Sequence, residues 1–294
     1  MSNLDPEALF TLLVTDLPQA AREHVFVVGS LAAAYHHRVA LGHRGVNTKD
    51  ADLVVHPSGD VASCASMAER LLSLGWRRHR DCYPSDPQVN ADSMRVIRLR
   101  PPDSDRYFIE FLNLPANGQL EQKKWVPVEV AGGWYALPTF RFQGLTAIGR
   151  LKSKVGLEYA SPPTMALANL LSHSTVKDDY MSAPIGGRKI RRASKDLGRV
   201  LALAHLCGRD ETESWLAIWR DALKACFPDD WAPLSKNVGS GLRSLLRRSE
   251  LLDEAHHTCA DGLLAGMNVT ADNLAATGER LIHDVIEPFE AGGS

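Results

Sequence analysis

The chain has 294 residues, 45% hydrophobic and 23% charged, with a formal net charge of −2. That length suits one large or two ordinary domains and allows a sizeable core. The near-neutral balance excludes a uniformly basic body for duplex nucleic acid, though not a local basic patch. The five cysteines are scattered, with no Cys-x-x-Cys pair. This excludes a disulfide frame or a zinc ribbon and fits a reducing compartment. No basic leader opens the chain, and its longest apolar run, "VFVVGSLAAAY", is too short to cross a bilayer. The expectation is a soluble cytoplasmic protein with no membrane partner.

In chain order, Asp5-Pro6 starts a helix that stops at Pro18. "HVFVVG" predicts a buried strand, and residues 30–38 an Ala-rich helix capped by Ser30. "ADLVV" predicts a second strand, and residues 59–74 an amphipathic helix ending at Gly75. "WRRHR", "MRVIRLR" and "RYFIEFLNL" alternate with period 2 and predict strands, and "VPVEVAGGWYALP" predicts a hairpin. From about residue 160 the pattern becomes helical. "SPPTMALANLLSH" has a Ser-Pro-Pro start, and residues 174–187 form a loop. "RKIRRASKDLGRVLALAHLC" predicts a long amphipathic helix, and further helices are expected over 211–226, 239–248, 249–264 and 271–287. The expected architecture is therefore an α/β domain over residues 1–160, followed by a helical C-terminal domain over 161–294.

Asp50 and Asp52 stand at i and i+2 of a strand, so their side chains project from the same face. Carboxylates that close repel unless a cation lies between them. Mg²⁺ prefers oxygen ligands and is commonly shared between one or two carboxylates and substrate phosphates. The bland alternative is a pair of solvated strand-end charges. In "RYFIEFLNL", Glu110 alternates with apolar residues on both faces, which predicts a strand buried on both sides. A buried glutamate needs a partner. An arginine of the neighbouring strand (Arg95, Arg98 or Arg100) would serve, and so would a metal shared with Asp50 and Asp52. Gly29 at a strand end permits a tight turn, and the N–H groups of the following helix favour a phosphate. There Ser30 either caps the helix or reaches a phosphate oxygen. Arg188, Arg191, Arg192 and Lys195 would share one helix face, suited to a triphosphate or an RNA backbone or simply to solvent. His36-His37 lies outside any zinc-hydrolase spacing, and the chain has neither a P-loop nor a Rossmann fingerprint.

"VVGSLAAAYHHR", then "TKDADLVV", then the acidic residue of "FIEFL" resembles the nucleotidyltransferase fold of the DNA polymerase β superfamily. Within it the arrangement is most similar to the AbiEii-type abortive-infection and toxin nucleotidyltransferases. "ASPPTMALANLLSH" and "RRASKDLGRVLAL" resemble that family's Ser-Pro and Lys-Asp helices, so the likeness covers roughly residues 20–205. The resemblance implies that Gly29 and Ser30 hold the nucleotide phosphates. It also implies that Asp50, Asp52 and Glu110 are catalytic and bind Mg²⁺, and that Lys49, Lys195 and Asp196 contact the nucleotide. The activity implied is transfer of a nucleoside monophosphate from an NTP to an acceptor hydroxyl, on an RNA (tRNA) 3′ end or on a protein. The role implied is that of a toxin in a toxin–antitoxin or phage-defence pair, with a cognate antitoxin as partner. A catalytically silent nucleotide- or partner-binding member and a small-molecule (antibiotic-type) nucleotidyltransferase are the alternatives. Two features depart from the family pattern. The gap between Gly-Ser and Asp-x-Asp is longer, and Asn169 stands where relatives often carry a lysine.

Overall fold

The computed structural model describes residues 4–116 and 124–292. These form two compact units. One comprises the chain up to Tyr35 together with Thr48–Ala160, and the other comprises His36–Asn47 together with Ser161 onward. Residues 36–47, expected in the α/β domain, therefore belong to the helical unit. No helix among the described residues is long and apolar enough to cross a membrane.

The first unit is built on a seven-stranded mixed sheet. Its strands are β1 (Val25–Val28), β2 (Asp50–Val55), β3 (Arg77–Arg78), β4 (Arg98–Arg100), β5 (Phe108–Asn113), β8 (Leu151–Lys152) and β9 (Glu158–Tyr159), in the order β3-β4-β5-β2-β1-β9-β8. The hairpin of β6 (Lys124–Val130) and β7 (Gly133–Thr139) forms a separate two-stranded sheet. Its tight turn uses Ala131 and Gly132, both at positive φ, as a two-residue hairpin loop requires. β1 lies between β2 and β9, and all four of its residues are buried, which explains its unbroken apolar run.

Helix α1 (Pro6–Asp16) is capped by Asp5, which accepts from the N–H groups of Glu7 and Ala8. Its Phe10 stacks on Tyr35, ring centroids 4.3 Å apart, at the end of α3 (Gly29–His36). A short α2 (Gln19–Arg22) leads into β1. Asp60 caps α4 (Val61–Ser73), which packs on β6 and stops before Gly75 at φ 89°. Of the expected strands, "WRRHR" shrinks to two residues. β8 and β9, which carry no period-2 signal, appear where none was predicted.

The second unit contains α5 (Pro162–Ser172), α6 (Arg192–Glu213), α7 (Trp215–Cys226), α8 (Trp231–Ser235), α9 (Ser240–Arg247), α10 (Ser249–Asp261) and α11 (Ala271–Leu281). A π-turn over Ile282–Ile286 and α12 (Glu287–Ala291) complete it. α6 begins at Arg192, later than predicted, and breaks at Gly208 (φ 72°, ψ −175°). α10 packs against α6 and buries Leu251, Ala255 and Cys259 on one face. Trp215 and Trp219 are fully buried, and the Trp219 indole N–H donates to the Pro163 carbonyl (2.8 Å).

Within this unit His37 is buried, with Nε2 3.6 Å from Cys207 Sγ, and that thiol donates to Glu211 (3.1 Å). Burial pushes the His37 imidazole down to about 4, and repulsion from His36 adds to the effect. An unfolded chain takes up this proton near pH 6.5, whereas the folded one holds it off until about pH 4. Folding stability from this group is therefore complete above pH 6.5 and is lost as pH falls toward 4, by up to about 3 kcal/mol. Urea unfolding at a series of pH values between 7 and 4 should show this slope, and His37→Gln should flatten it. An unchanged slope in the variant would remove the assignment.

Candidate active site

β2 and β5 run parallel and share a burial pattern: residues one and three are half-buried, and the rest are buried. Their register pairs Asp50 with Phe108 and Asp52 with Glu110. On the other side of β2, antiparallel β1 sets Val28 opposite Asp52. One open face of the sheet, at the start of β2 and β5 and the end of β1, therefore carries both aspartates and the glutamate.

The chain passes from β1 to α3 with no intervening residue, and the turn is made at Gly29, with φ 75°. A Cβ added there would lie 3.0 Å from Asp52 Oδ2. The Asp52 carboxylate thus sits directly against the glycine backbone, where a side chain would block it. Ser30 follows, half-buried in the first turn of α3, so the polar start of the helix and the carboxylate share one corner. Asp50 Oδ1 accepts from the Thr48 hydroxyl (2.8 Å), which fixes the second aspartate on the same face. Lys49 is exposed just before β2, and its carbonyl accepts from the Phe108 N–H (3.0 Å).

Glu110 takes the arginine of the two partners expected for it. Arg98 Nε donates to Glu110 Oε2 at 2.6 Å, across the β4–β5 register pair. The strand is also less enclosed than predicted, because Phe108 and Glu110 are only half-buried at its open end. Among the described residues no group of three or more His, Cys, Asp or Glu is placed to hold a metal ion. The donor set fits Mg²⁺ in one form: two carboxylates, Asp50 and Asp52, with the remaining oxygens supplied by a substrate's phosphates. It does not form a ready three-carboxylate cage while Arg98 holds Glu110.

No protein-family model matches the chain, and no curated protein matches it. One solved structure, the STING-associated CdnE c-di-GMP synthase from Capnocytophaga granulosa, is similar at 11% identity. The match covers 98% of this chain and 80% of that one, with a TM-score of 0.25.

The remaining predicted residues lie in the second unit. Lys195 and Asp196 are the fourth and fifth residues of α6. Asp196 Oδ2 lies 2.9 Å from His173 Nε2, at the end of α5. Burial opposes its charge, but the His173 hydrogen bond, Lys195 and Arg199 outweigh it and hold the carboxyl well below the usual range. Asp196 therefore fastens α5 to α6. The predicted basic helix face is not formed. Arg188 and Arg191 precede the helix, and acidic residues neutralise three members of the set. Arg188 pairs with Asp253, Arg191 with Asp178 and Glu254, and Arg192 with Asp179. Lys189 lies over the Tyr180 ring, and Asn169 is half-buried in α5.

Proposed function

We propose that the chain is a nucleotidyltransferase that moves a nucleoside monophosphate from an NTP to an acceptor hydroxyl. The observation that supports this best is the Asp52 carboxylate packed on Gly29, with Asp50 beside it on the open face. Two acids against the start of a helix leave a strongly anionic corner beside backbone N–H groups. A triphosphate carrying a cation satisfies both at once. In this reading Gly29 and Ser30 receive the phosphates, and Asp50 and Asp52 hold Mg²⁺ against them. Bound Mg²⁺ would offset charge on the phosphates and lower the pKa of the acceptor hydroxyl. The acceptor oxygen forms a bond to the α-phosphorus, the bond from that phosphorus to the bridging oxygen breaks, and pyrophosphate leaves with the electron pair. The hydroxyl proton passes to solvent. Glu110 keeps Arg98 oriented beside the two aspartates. Lys49, Lys195 and Asp196 remain nucleotide contacts by resemblance, as do an RNA 3′ end or a protein as acceptor and an antitoxin as partner.

The test is incubation of the purified chain with Mg²⁺, each labelled NTP in turn, and total RNA or total protein. Label transfer is expected, and Asp52→Ala should lower it about a hundred- to a thousand-fold, the scale on which single charge-stabilising groups act. Absence of transfer with every NTP, together with no NTP-induced rise in Tm, would refute the proposal. A second reading, a nucleotide-binding module without turnover, is favoured by the Arg98 grip on Glu110. It predicts the Tm rise without the transfer.

A further inference from the structure

The open face continues beyond the aspartates. Phe108 lies opposite Asp50 in register, and Arg98 lies opposite Glu110, so both share the face that carries Asp52. Arg98 is fixed from two sides. Its Nε donates to Glu110, and its guanidinium carbon sits 5.2 Å from the centroid of the Phe108 ring. The His79 ring lies 4.7 Å from the same centroid, tilted by 54°. The Arg98 side chain is 33% exposed, and among the described residues neither of its Nη groups donates a hydrogen bond.

A guanidinium held at Nε by a carboxylate and backed by a ring is pre-organised. Its remaining N–H groups form a planar fork that matches a phosphate. The adjoining aromatic pair offers a surface for a planar base, which stacks on such rings whatever its identity. Position then separates this surface from the donor phosphates. Gly29 follows β1 on one side of β2, whereas Phe108 and Arg98 are on β5 and β4, on the other side. The carboxylates of β2 stand between the two.

We infer that Phe108, His79 and Arg98 form the subsite for the acceptor nucleotide, its base against the two rings and its phosphate on the Arg98 fork. That this nucleotide is the acceptor rests on the nucleotidyl transfer proposed above, whereas its binding at this surface does not. A free nucleotide and the terminal nucleotide of an RNA present the same base and phosphate. A protein hydroxyl presents neither.

Calorimetric titration of the full chain in EDTA, without NTP, tests the subsite apart from catalysis. The probes are the four nucleoside 5′-monophosphates and a short single-stranded RNA. Wild type is expected to bind at least one of them. Phe108→Leu, which keeps the apolar volume, and Arg98→Lys, which keeps a cation on Glu110, should each weaken binding about ten-fold. The Tm of both variants should stay close to that of wild type. RNA bound more tightly than every monophosphate identifies a polynucleotide end, and equal affinity identifies a free nucleotide. No binding of any probe overturns the subsite, and so does unchanged affinity in both variants. Label transfer to protein that Phe108→Leu leaves intact also overturns it. Binding that responds to both variants in a protein with no label transfer keeps the subsite and removes the transferase reading.

Discussion

Gly29→Ala is expected to cost the protein both stability and activity, whereas Gly149→Ala costs stability alone. Both glycines have positive φ, 75° and 62°, where a side chain is strained by about 1–2 kcal/mol. The difference lies in the space around them. A methyl group at Gly149 meets nothing within 4 Å, whereas one at Gly29 meets Asp52 Oδ2 at 3.0 Å. Relief of that contact moves either the carboxylate or the start of α3. Displacement of a catalytic group by an ångström costs about a hundred-fold in rate, so a smaller shift here should still lower label transfer by about ten-fold or more. Equal Tm losses with unequal transfer would support the assignment of this corner. Wild-type transfer by Gly29→Ala would show that the close packing of Asp52 is incidental to activity.

The largest stability effect is expected at Trp219. It is fully buried, its ring lies edge-on to Phe289 with centroids 5.6 Å apart, and its N–H donates to the Pro163 carbonyl. Trp219→Ala should destabilise the helical unit by about 3–5 kcal/mol, the usual range for a large aromatic removed from a core. A sharper comparison uses phenylalanine at both tryptophans. Trp215 is equally buried, but its indole nitrogen has no hydrogen-bond partner among the described residues. Trp215→Phe removes volume and an unsatisfied donor, whereas Trp219→Phe removes volume and a hydrogen bond to a buried carbonyl. The second should cost about 1 kcal/mol more. Denaturant midpoints for the two variants give the answer, and equal losses would mean the hydrogen bond contributes nothing net.

The parts of the fold that local pattern could show were legible. Asp5-Pro6, Gly75 and the Ala131–Gly132 turn act within a few residues, and the structure places a helix start, a helix stop and a hairpin at those positions. Of the candidate site, the sequence pattern showed Asp50 and Asp52 on one face and Gly29 at the turn, and the register adds Glu110 to that face. Which partner holds Glu110 was not legible, because that depends on the β4–β5 register. Alternation along one strand leaves Arg98 and Arg100 equivalent, and the pairing selects Arg98. The basic helix face failed for a similar reason. Arg191 has extended backbone (φ −67°, ψ 142°) and bridges to Tyr180, so the helix cannot begin before it. Of the acids that neutralise the arginines, Asp253 and Glu254 lie more than sixty positions away.

The division of the chain limits how it can be cut. The polypeptide passes from one unit to the other at residues 35–36, 47–48 and 160–161. A fragment that ends at 160 therefore carries His37, Leu41 and Val46, all buried in the intact protein, without the helices of their own unit. A fragment that starts at 161 lacks the same three side chains. Expression of the helical portion from residue 161 alone should therefore yield aggregated material. Supplying residues 36–47 through a linker, or rejoining the chain by circular permutation, is the route to an isolated helical unit.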